Sequence, residues 1–177
     1  MYIEEELDAG DVILKEYCDI SEEDTLGTLH DRLKELGAAG LEKALKLIRE
    51  GKVQAEKQDE TEVSFVKPIT KEQTRINWND TKETIYNQIR GLNPFPGAHT
   101  YTETGENVKI YRSEKIDKEY AGENGSIVEI VNKKGPVVKT SNGGIILLEV
   151  KFEGKKLQSG TDIINGRKLT VGNKFKN

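Results

Sequence analysis

Residues 98–152 decide the fold of this chain: AHTYTETGENVKIYRSEKIDKEYAGENGSIVEIVNKKGPVVKTSNGGIILLEVKF. Short apolar segments, namely AHTYTE, VKIYRSEKI, SIVEIV, PVVKT and IILLEVKF, alternate here with turns rich in Gly, Asn and Lys, and RKLTV (167–171) continues the series. Segments of this length between turn residues are typical of β-strands. Six of them in succession predict a small barrel or sandwich.

A helix is predicted immediately before these strands. The segment NDTKETIYNQIRGLNPFPG (79–97) starts with Asn79 or Asp80 as the N-cap and ends at two prolines. Its buried side should carry Ile85, Ile89 and Leu92, and we expect it to pack on the strands. The preceding TRINW (74–78) is predicted to be a short strand.

The first third of the chain has too few elements for an independent core. DVILK (11–15) is predicted to be a strand. Two helices follow, one over 21–37 capped by Ser21 or Asp24 and ending at Gly37, and one over 38–51 ending at Gly51. One strand and two helices indicate part of a larger domain. Residues 52–73 are predicted to be a polar linker with one anchored apolar patch, which comprises Val63, Phe65 and Val66.

Charge is distributed unevenly along the chain. Residues 1–66 contain 18 acidic and 8 basic side chains, a net charge of −10, whereas residues 67–177 carry a net charge of +6. Such asymmetry indicates that the second half contacts a polyanion. The alternative is ordinary surface charge.

The composition points away from disulfides, metal sites and membranes. Cys18 is the only cysteine, and neither it nor His30 or His99 has a partner at metal-ligand spacing. No apolar run approaches the about 20 residues that cross a bilayer, and the acidic first residues are unlike a signal peptide. We therefore expect a soluble, cytoplasmic protein.

Several motifs follow one another in the order of a known family. They are LDAGDVIL (7–14), QDE (58–60), K-x-x-TRINW (71–78), IYNQIRGLNPFPGA (85–98), GIILLEVKFEGKK (144–156) and NGRKLTVGNKF (165–175). This series resembles the C-terminal portion of the methionyl-tRNA formyltransferase family over essentially the whole chain. Three departures, Phe95 for Trp, Asn77 for Asp and Asn124-Gly125 for Pro-Gly, lie outside the chemistry.

The resemblance implies a fold class and a domain order. Residues 1–53 would be the end of an α/β, Rossmann-like formyltransferase domain, an incomplete remnant with one or two strands and two helices. Residues 54–72 would be a linker. Residues 73–177 would be a mainly β, OB-like barrel with one N-terminal helix, which binds tRNA.

The resemblance also implies an active-site loop. Asp8 would be the catalytic aspartate, and residues Glu5, Glu6, Leu7 and Asp8 would border the pocket for 10-formyltetrahydrofolate, without a metal. The family's Asn-x-His motif is expected upstream of Met1, so the chain alone should be inactive. Without the resemblance, Asp8 is interpreted as a turn residue before Gly10.

The implied partner is initiator methionyl-tRNA. Loop and strand-end cations are the candidates for its phosphates: Arg90, Lys109, Arg112, Lys133, Lys134, Lys155 and Lys156. Trp78, Tyr86, Phe95, Tyr101 and Tyr111 can stack on bases, although packing is the more common role. The parent enzyme is expected to be a monomer, whereas this chain, with apolar helix stripes uncovered, is expected to self-associate.

Three alternatives remain open from the sequence. The chain is a noncatalytic nucleic-acid-binding module, or the C-terminal part of a nucleotide-sugar formyltransferase, which shares the LD-x-G loop. The third alternative is a piece with no function of its own.

Overall fold

A computed structural model describes all 177 residues. They form two compact units, one of Met1–Asp24 with Thr28–Pro68 and one of Thr25–Gly27 with Ile69–Asn177. None of the helices combines the length and the apolar character that a membrane span requires. The two units are described separately below.

The first unit is built on one long helix, α1, which spans Leu26–Arg49. The prediction of two helices that separate at Gly37 is wrong, because a single glycine costs a helix only about 1 kcal/mol and the half-buried face continues past it. That face comprises Leu29, Leu36, Gly40, Ala44 and Leu47. The predicted end at Gly51 is confirmed, since Gly51 has φ +66° and its N–H donates to the Ile48 carbonyl at 3.1 Å.

Asp24 braces the first turns of α1. Its carboxylate accepts hydrogen bonds from the Arg32 guanidinium at 2.8 Å and from the Thr28 hydroxyl at 3.0 Å. The Arg32 hydrogen bond, followed by the Ser21 N–H, lowers the pKa of Asp24 far below its ordinary value of 3.8. The ionised carboxylate therefore belongs to the folded state.

The strand predicted at DVILK does not form. Val12 makes a single antiparallel bridge with Glu56, with N···O distances of 2.8 and 2.9 Å, and no ladder follows. An apolar run becomes a strand only where a neighbouring strand supplies its hydrogen bonds. The predicted apolar anchor in the linker is also wrong, because Phe65 and Val66 are each 93% exposed. The only regular element there is a 3₁₀ turn, Glu60–Glu62.

The second unit begins with an irregular segment rather than the predicted strand at TRINW. A 3₁₀ turn spans Glu72–Thr74, and Arg75 then makes one parallel bridge with His99. Ile76 and Trp78 are nevertheless fully buried. The alternating apolar residues therefore indicated burial correctly, although the hydrogen bonds of a strand are missing.

Helix α2 spans Lys82–Gly91. Its N-cap is Thr81, whose hydroxyl accepts from the Thr84 N–H at 3.2 Å, and not Asn79 or Asp80 as predicted. Those two residues form the preceding turn, in which the Asn77 side chain bonds both. The predicted buried side is confirmed at Ile85, Ile89 and Leu92.

A single antiparallel sheet follows. Five predicted strands are confirmed: β1 (Ala98–Thr102), β2 (Asn107–Ile116), β3 (Ile127–Val131), β4 (Gly135–Thr140) and β5 (Gly143–Phe152). Two short strands, β6 (Gln158–Ser159) and β7 (Phe175–Lys176), complete it. The order along the sheet is β3-β4-β5-β2-β1-β7, and β6 pairs with β5.

The strand predicted at 167–171 is wrong, since the chain forms helix α3 (Gly160–Asn165) and then turns. A capping box starts α3, with the Ser159 hydroxyl accepting from the Asp162 N–H and the Asp162 carboxylate accepting from the Ser159 N–H. A Cβ at Gly160 would lie 2.1 Å from the Lys134 carbonyl oxygen. Close backbone packing of this kind requires glycine there.

The sheet curls until its two edges meet. Ser126, just before β3, forms an antiparallel bridge with Lys174, just before β7, and the Phe175 N–H donates to the Gly125 carbonyl at 2.9 Å. Trp78 fills this junction. Its ring stacks on Phe175 at 5.6 Å between centroids, and its Nε1–H donates to the Thr100 hydroxyl at 3.0 Å.

We expect Thr100→Val to destabilise the sheet without changing its shape. The substitution preserves volume but leaves the buried Trp78 Nε1–H unpaired, which costs about 1–3 kcal/mol. Because Trp78 is the only tryptophan, its fluorescence in denaturant reports unfolding at this site. The control is Thr104→Val at an exposed position, where the change should stay within about 0.5 kcal/mol. Equal stabilities would show that the hydrogen bond contributes nothing.

Candidate functional site

The acidic loop around Asp8 is held by one amide side chain. Gln58 Nε2 donates to the carbonyl oxygens of Asp8 at 2.7 Å and of Gly10 at 2.8 Å. Asp8 has φ +58°, a left-handed conformation that aspartate tolerates better than most residues. The QDE motif therefore has a physical role, because its first residue fixes the backbone of the LDAG loop.

Gly10 allows a second contact in the same loop. A Cβ at this position would lie 1.9 Å from the Tyr2 carbonyl oxygen, so only glycine fits. The Tyr2 N–H donates to the Asp11 carbonyl at 2.9 Å. The chain before the loop is thus fastened across it.

The side chains of the predicted catalytic loop are exposed. Glu5, Glu6 and Asp8 face solvent, Leu7 is 95% exposed, and the Asp8 carboxylate makes no hydrogen bond or ion pair. No histidine or amide lies beside Asp8 to share a proton. The structure contains no group of three His, Cys, Asp or Glu side chains arranged to hold a metal ion.

Four of the seven predicted tRNA-binding cations are engaged within the chain. Arg90, on α2, donates to the Asn87 side chain at 2.8 Å, and Lys109, on β2, donates to the Pro96 carbonyl at 2.8 Å. Arg112 pairs with Glu149 at 3.3 Å, and Lys134 pairs with Glu114 at 2.6 Å. Their charges are partly offset by these partners.

The remaining three cations project from turns. Lys133, with φ +62°, lies in the turn between β3 and β4, and Lys155 and Lys156 lie in the turn after β5. All three are exposed and make no side-chain hydrogen bond or ion pair. They are the cations most available to a phosphate.

The aromatic residues divide between the core and the surface. Trp78 is fully buried, and Tyr86 packs against the core with the Arg90 guanidinium 5.8 Å from its ring centroid. Phe95 is 76% exposed. Of this set, Phe95 is therefore the side chain best placed to meet a partner.

Sequence reasoning missed a cationic cavity of about 520 Å³ in the second unit. Its lining includes Lys71, His99, Tyr101 and Lys109. The alternation in AHTYT carried a signal, since it turns His99 and Tyr101 to the same side of β1, away from the core residues Ala98 and Thr100. What the sequence did not indicate is that Lys71, more than 25 residues earlier, covers that side.

Two family models match the chain. The model described as formyl transferase, C-terminal domain, matches residues 68–168, and the model described as formyl transferase matches residues 1–45. The curled sheet lies within the first of these matches, and the Asp8 loop lies within the second.

Curated relatives match along nearly the whole chain. The methionyl-tRNA formyltransferase of Fusobacterium nucleatum subsp. nucleatum is 51% identical over 99% of this chain and 56% of that protein. The methionyl-tRNA formyltransferase of Bacillus subtilis is 43% identical over 97% of this chain and 54% of that protein. The chain thus spans about half the length of the curated relatives it matches.

Solved structures show the same fold at low identity. HypX from Aquifex aeolicus in complex with tetrahydrofolic acid aligns with a TM-score of 0.69 and 16% identity, over 98% of this chain and 32% of that one. A multiple variant of HypX gives a TM-score of 0.72 and 17% identity, over 96% of this chain and 30% of that one. Because the match over residues 68–168 covers more than half of the sequence, this chain belongs to the formyl transferase C-terminal domain family.

Proposed function

We propose that this chain is part of a methionyl-tRNA formyltransferase, which transfers a formyl group to the amino group of methionine on initiator tRNA during translation initiation. The observation that carries the proposal is 51% identity to such an enzyme over 99% of the chain. In this proposal, residues 1–53 end the formyltransferase domain, 54–72 form the linker, and 73–177 are the OB-like, tRNA-binding domain. Its use of charged tRNA implies a cytoplasmic location.

The Asp8 loop supplies one wall of the proposed catalytic site. The co-substrate, 10-formyltetrahydrofolate, supplies the formyl group, and the backbone of Glu5, Glu6, Leu7 and Asp8 borders its pterin. A HypX structure with tetrahydrofolic acid supports a folate for this fold. The loop fits that role because Gln58 presets its backbone while its side chains stay unengaged.

Asp8 is the proposed catalytic carboxylate. Formyl transfer to an amine places negative charge on the formyl oxygen and releases a proton from nitrogen, so the site needs hydrogen-bond donors and a proton acceptor. Asp8 would hold the imidazole of an Asn-x-His motif and assist that proton transfer. With no imidazole beside it in this chain, Asp8 alone does not complete the site, and we expect the chain alone to be inactive.

The tRNA contact is proposed for the cations of the second unit. Lys133, Lys155 and Lys156 are first in this set because they have no carboxylate partner, whereas Arg112 and Lys134 must share theirs with a phosphate. Arg90 and Lys109 complete the set. The net charge of +6 over residues 67–177 favours this surface for RNA over the acidic first third.

A noncatalytic nucleic-acid-binding module is the second candidate. It is favoured by one observation, the unpartnered carboxylate of Asp8. A formyl-transfer experiment separates the two candidates.

Binding of initiator tRNA should weaken steeply with salt. Replacing both Lys155 and Lys156 by Ala should lower the slope of log K against log salt by about 1–2, because each removes one phosphate contact. Filter binding between low and high salt measures this slope. The control, Lys34→Ala with Lys52→Ala, removes two exposed cations of the first unit and should leave the slope unchanged. Salt-independent binding, or none, would contradict the assignment.

Formyl transfer should appear when the missing wall is supplied. The segment of the Fusobacterium relative that this chain does not match, fused ahead of Met1, should give transfer to charged initiator tRNA and not to a nucleotide amino sugar. Asp8→Asn in the fusion should reduce the rate about 10²–10⁴-fold, whereas Asp11→Asn, the neighbouring exposed carboxylate, should have little effect.

A well-folded fusion that binds tRNA without formylating it would favour the noncatalytic module. Transfer only to the amino sugar would favour the nucleotide-sugar enzyme.

The chain by itself should self-associate through α1. Leu41 and Leu45 are 61% and 57% exposed on that helix, and Ile48 is 43% exposed, so a contiguous apolar stripe is uncovered. Sedimentation should show oligomers that Leu45→Lys disperses. The matched control is Leu157→Lys, a 52% exposed leucine of the second unit, which should leave the association unchanged. A monomeric parent chain at high concentration would contradict this expectation.

A further inference from the structure

The cationic cavity of the second unit has the form of an anion site. Its volume is about 520 Å³, and it lies on the side of β1 and β2 that faces away from the core. One wall is the segment before α2, with Lys71 and Thr74, and the other comprises His99, Tyr101 and Lys109. It is a recess between two backbone segments, distinct from the cationic turns.

Positive charge dominates this recess. Lys71 and Lys109 form no ion pair with a carboxylate, and Lys109 Nζ is held by the Pro96 carbonyl at 2.8 Å. The Arg75 guanidinium lies 5.5 Å from the Tyr101 ring centroid and donates to the Asn177 main-chain oxygen. Glu153 is the one carboxylate in the lining. Three cations against one acid leave an excess for an anion to neutralise.

His99 sits at the centre of these charges. It is 4% exposed, and its Nδ1 lies 3.0 Å from the Thr74 hydroxyl oxygen. That hydroxyl donates its own proton to the Lys71 carbonyl at 2.8 Å, so the oxygen accepts from His99 Nδ1–H. The neutral ring therefore carries its proton on Nδ1, and Nε2 is the atom that takes up a second one.

We propose that the cavity binds a tetrahedral oxyanion, the phosphate of a nucleotide or of an RNA backbone, between Lys71 and Lys109, with His99 gaining a proton at Nε2 as the anion enters. The proposal rests on the geometry and charge of the cavity and not on the proposed enzymatic function. Its shared chemistry is a phosphate group, whatever the source.

The proton coupling follows from the surroundings of His99. Burial lowers the pKa of His99 below 6.5 first, and the charges of Lys71, Arg75 and Lys109 lower it further, while a hydrogen bond with Thr74 opposes them. A bound anion offsets those three charges, so the pKa of His99 is higher in the complex than in the free protein. Anion affinity is consequently greatest at low pH and declines as pH rises through the pKa of the complex.

Sulfate is the appropriate first probe, because its charge stays constant between pH 5 and 8. Both histidines of the chain are followed by NMR titration with and without sulfate. We expect sulfate to raise the pKa of His99 by about one unit, which corresponds to about tenfold tighter binding at pH 5 than at pH 8. His30, exposed beside Asp31 on α1, is the internal control and should titrate unchanged.

Variants and competitors complete the test. Lys109→Met should weaken sulfate binding at least severalfold, whereas Lys46→Met, an exposed lysine of α1, should not. Displacement of sulfate by uridine 5′-monophosphate alone would identify a free phosphomonoester, and displacement by the dinucleotide UpU would identify an RNA phosphodiester. The proposal is overturned if sulfate fails to bind, if it binds without moving the pKa of His99, or if neither nucleotide competes.

Discussion

Burial of Trp78 where the two edges of the sheet meet is the constraint on which residues 69–177 depend. The indole stacks on Phe175 of β7 and donates to Thr100 of β1, and a Cβ at Gly125 would lie 3.3 Å from it. Truncating a buried tryptophan typically costs about 3–5 kcal/mol, a large part of the about 5–15 kcal/mol that stabilises a domain. The same indole thus joins the segment before α2, the first strand and the last.

That junction also builds the cationic cavity. The segment from Lys71 to Trp78 lies along β1, with the Ile76 N–H donating to the His99 carbonyl at 2.8 Å. Trp78 fixes one end of this segment, so Lys71 and Arg75 lie over the polar side of β1 while Ile76 enters the core. One interaction therefore both closes the sheet and gathers three cations around a buried histidine.

The two candidate sites differ in what the chain supplies. The Asp8 loop has a fixed backbone, held by Gln58, but its side chains face solvent without partners. Catalysis by a carboxylate requires a second group within hydrogen-bond reach, and the first unit offers none. The cavity, in contrast, is enclosed by residues of the second unit alone, and its proton acceptor and fixed cations are already assembled.

Sequence by itself determined the strands β1–β5, the buried side of α2 and the acidic loop, because alternation, helical spacing and glycine-bearing turns are local properties. Tertiary structure decided the rest. It continued α1 through Gly37, left DVILK without a partner strand, and replaced the strand at 167–171 by α3 and a turn. It alone joined Lys71 to His99, since hydrogen-bond pairing and charge convergence depend on residues distant in sequence, whose approach no local pattern encodes.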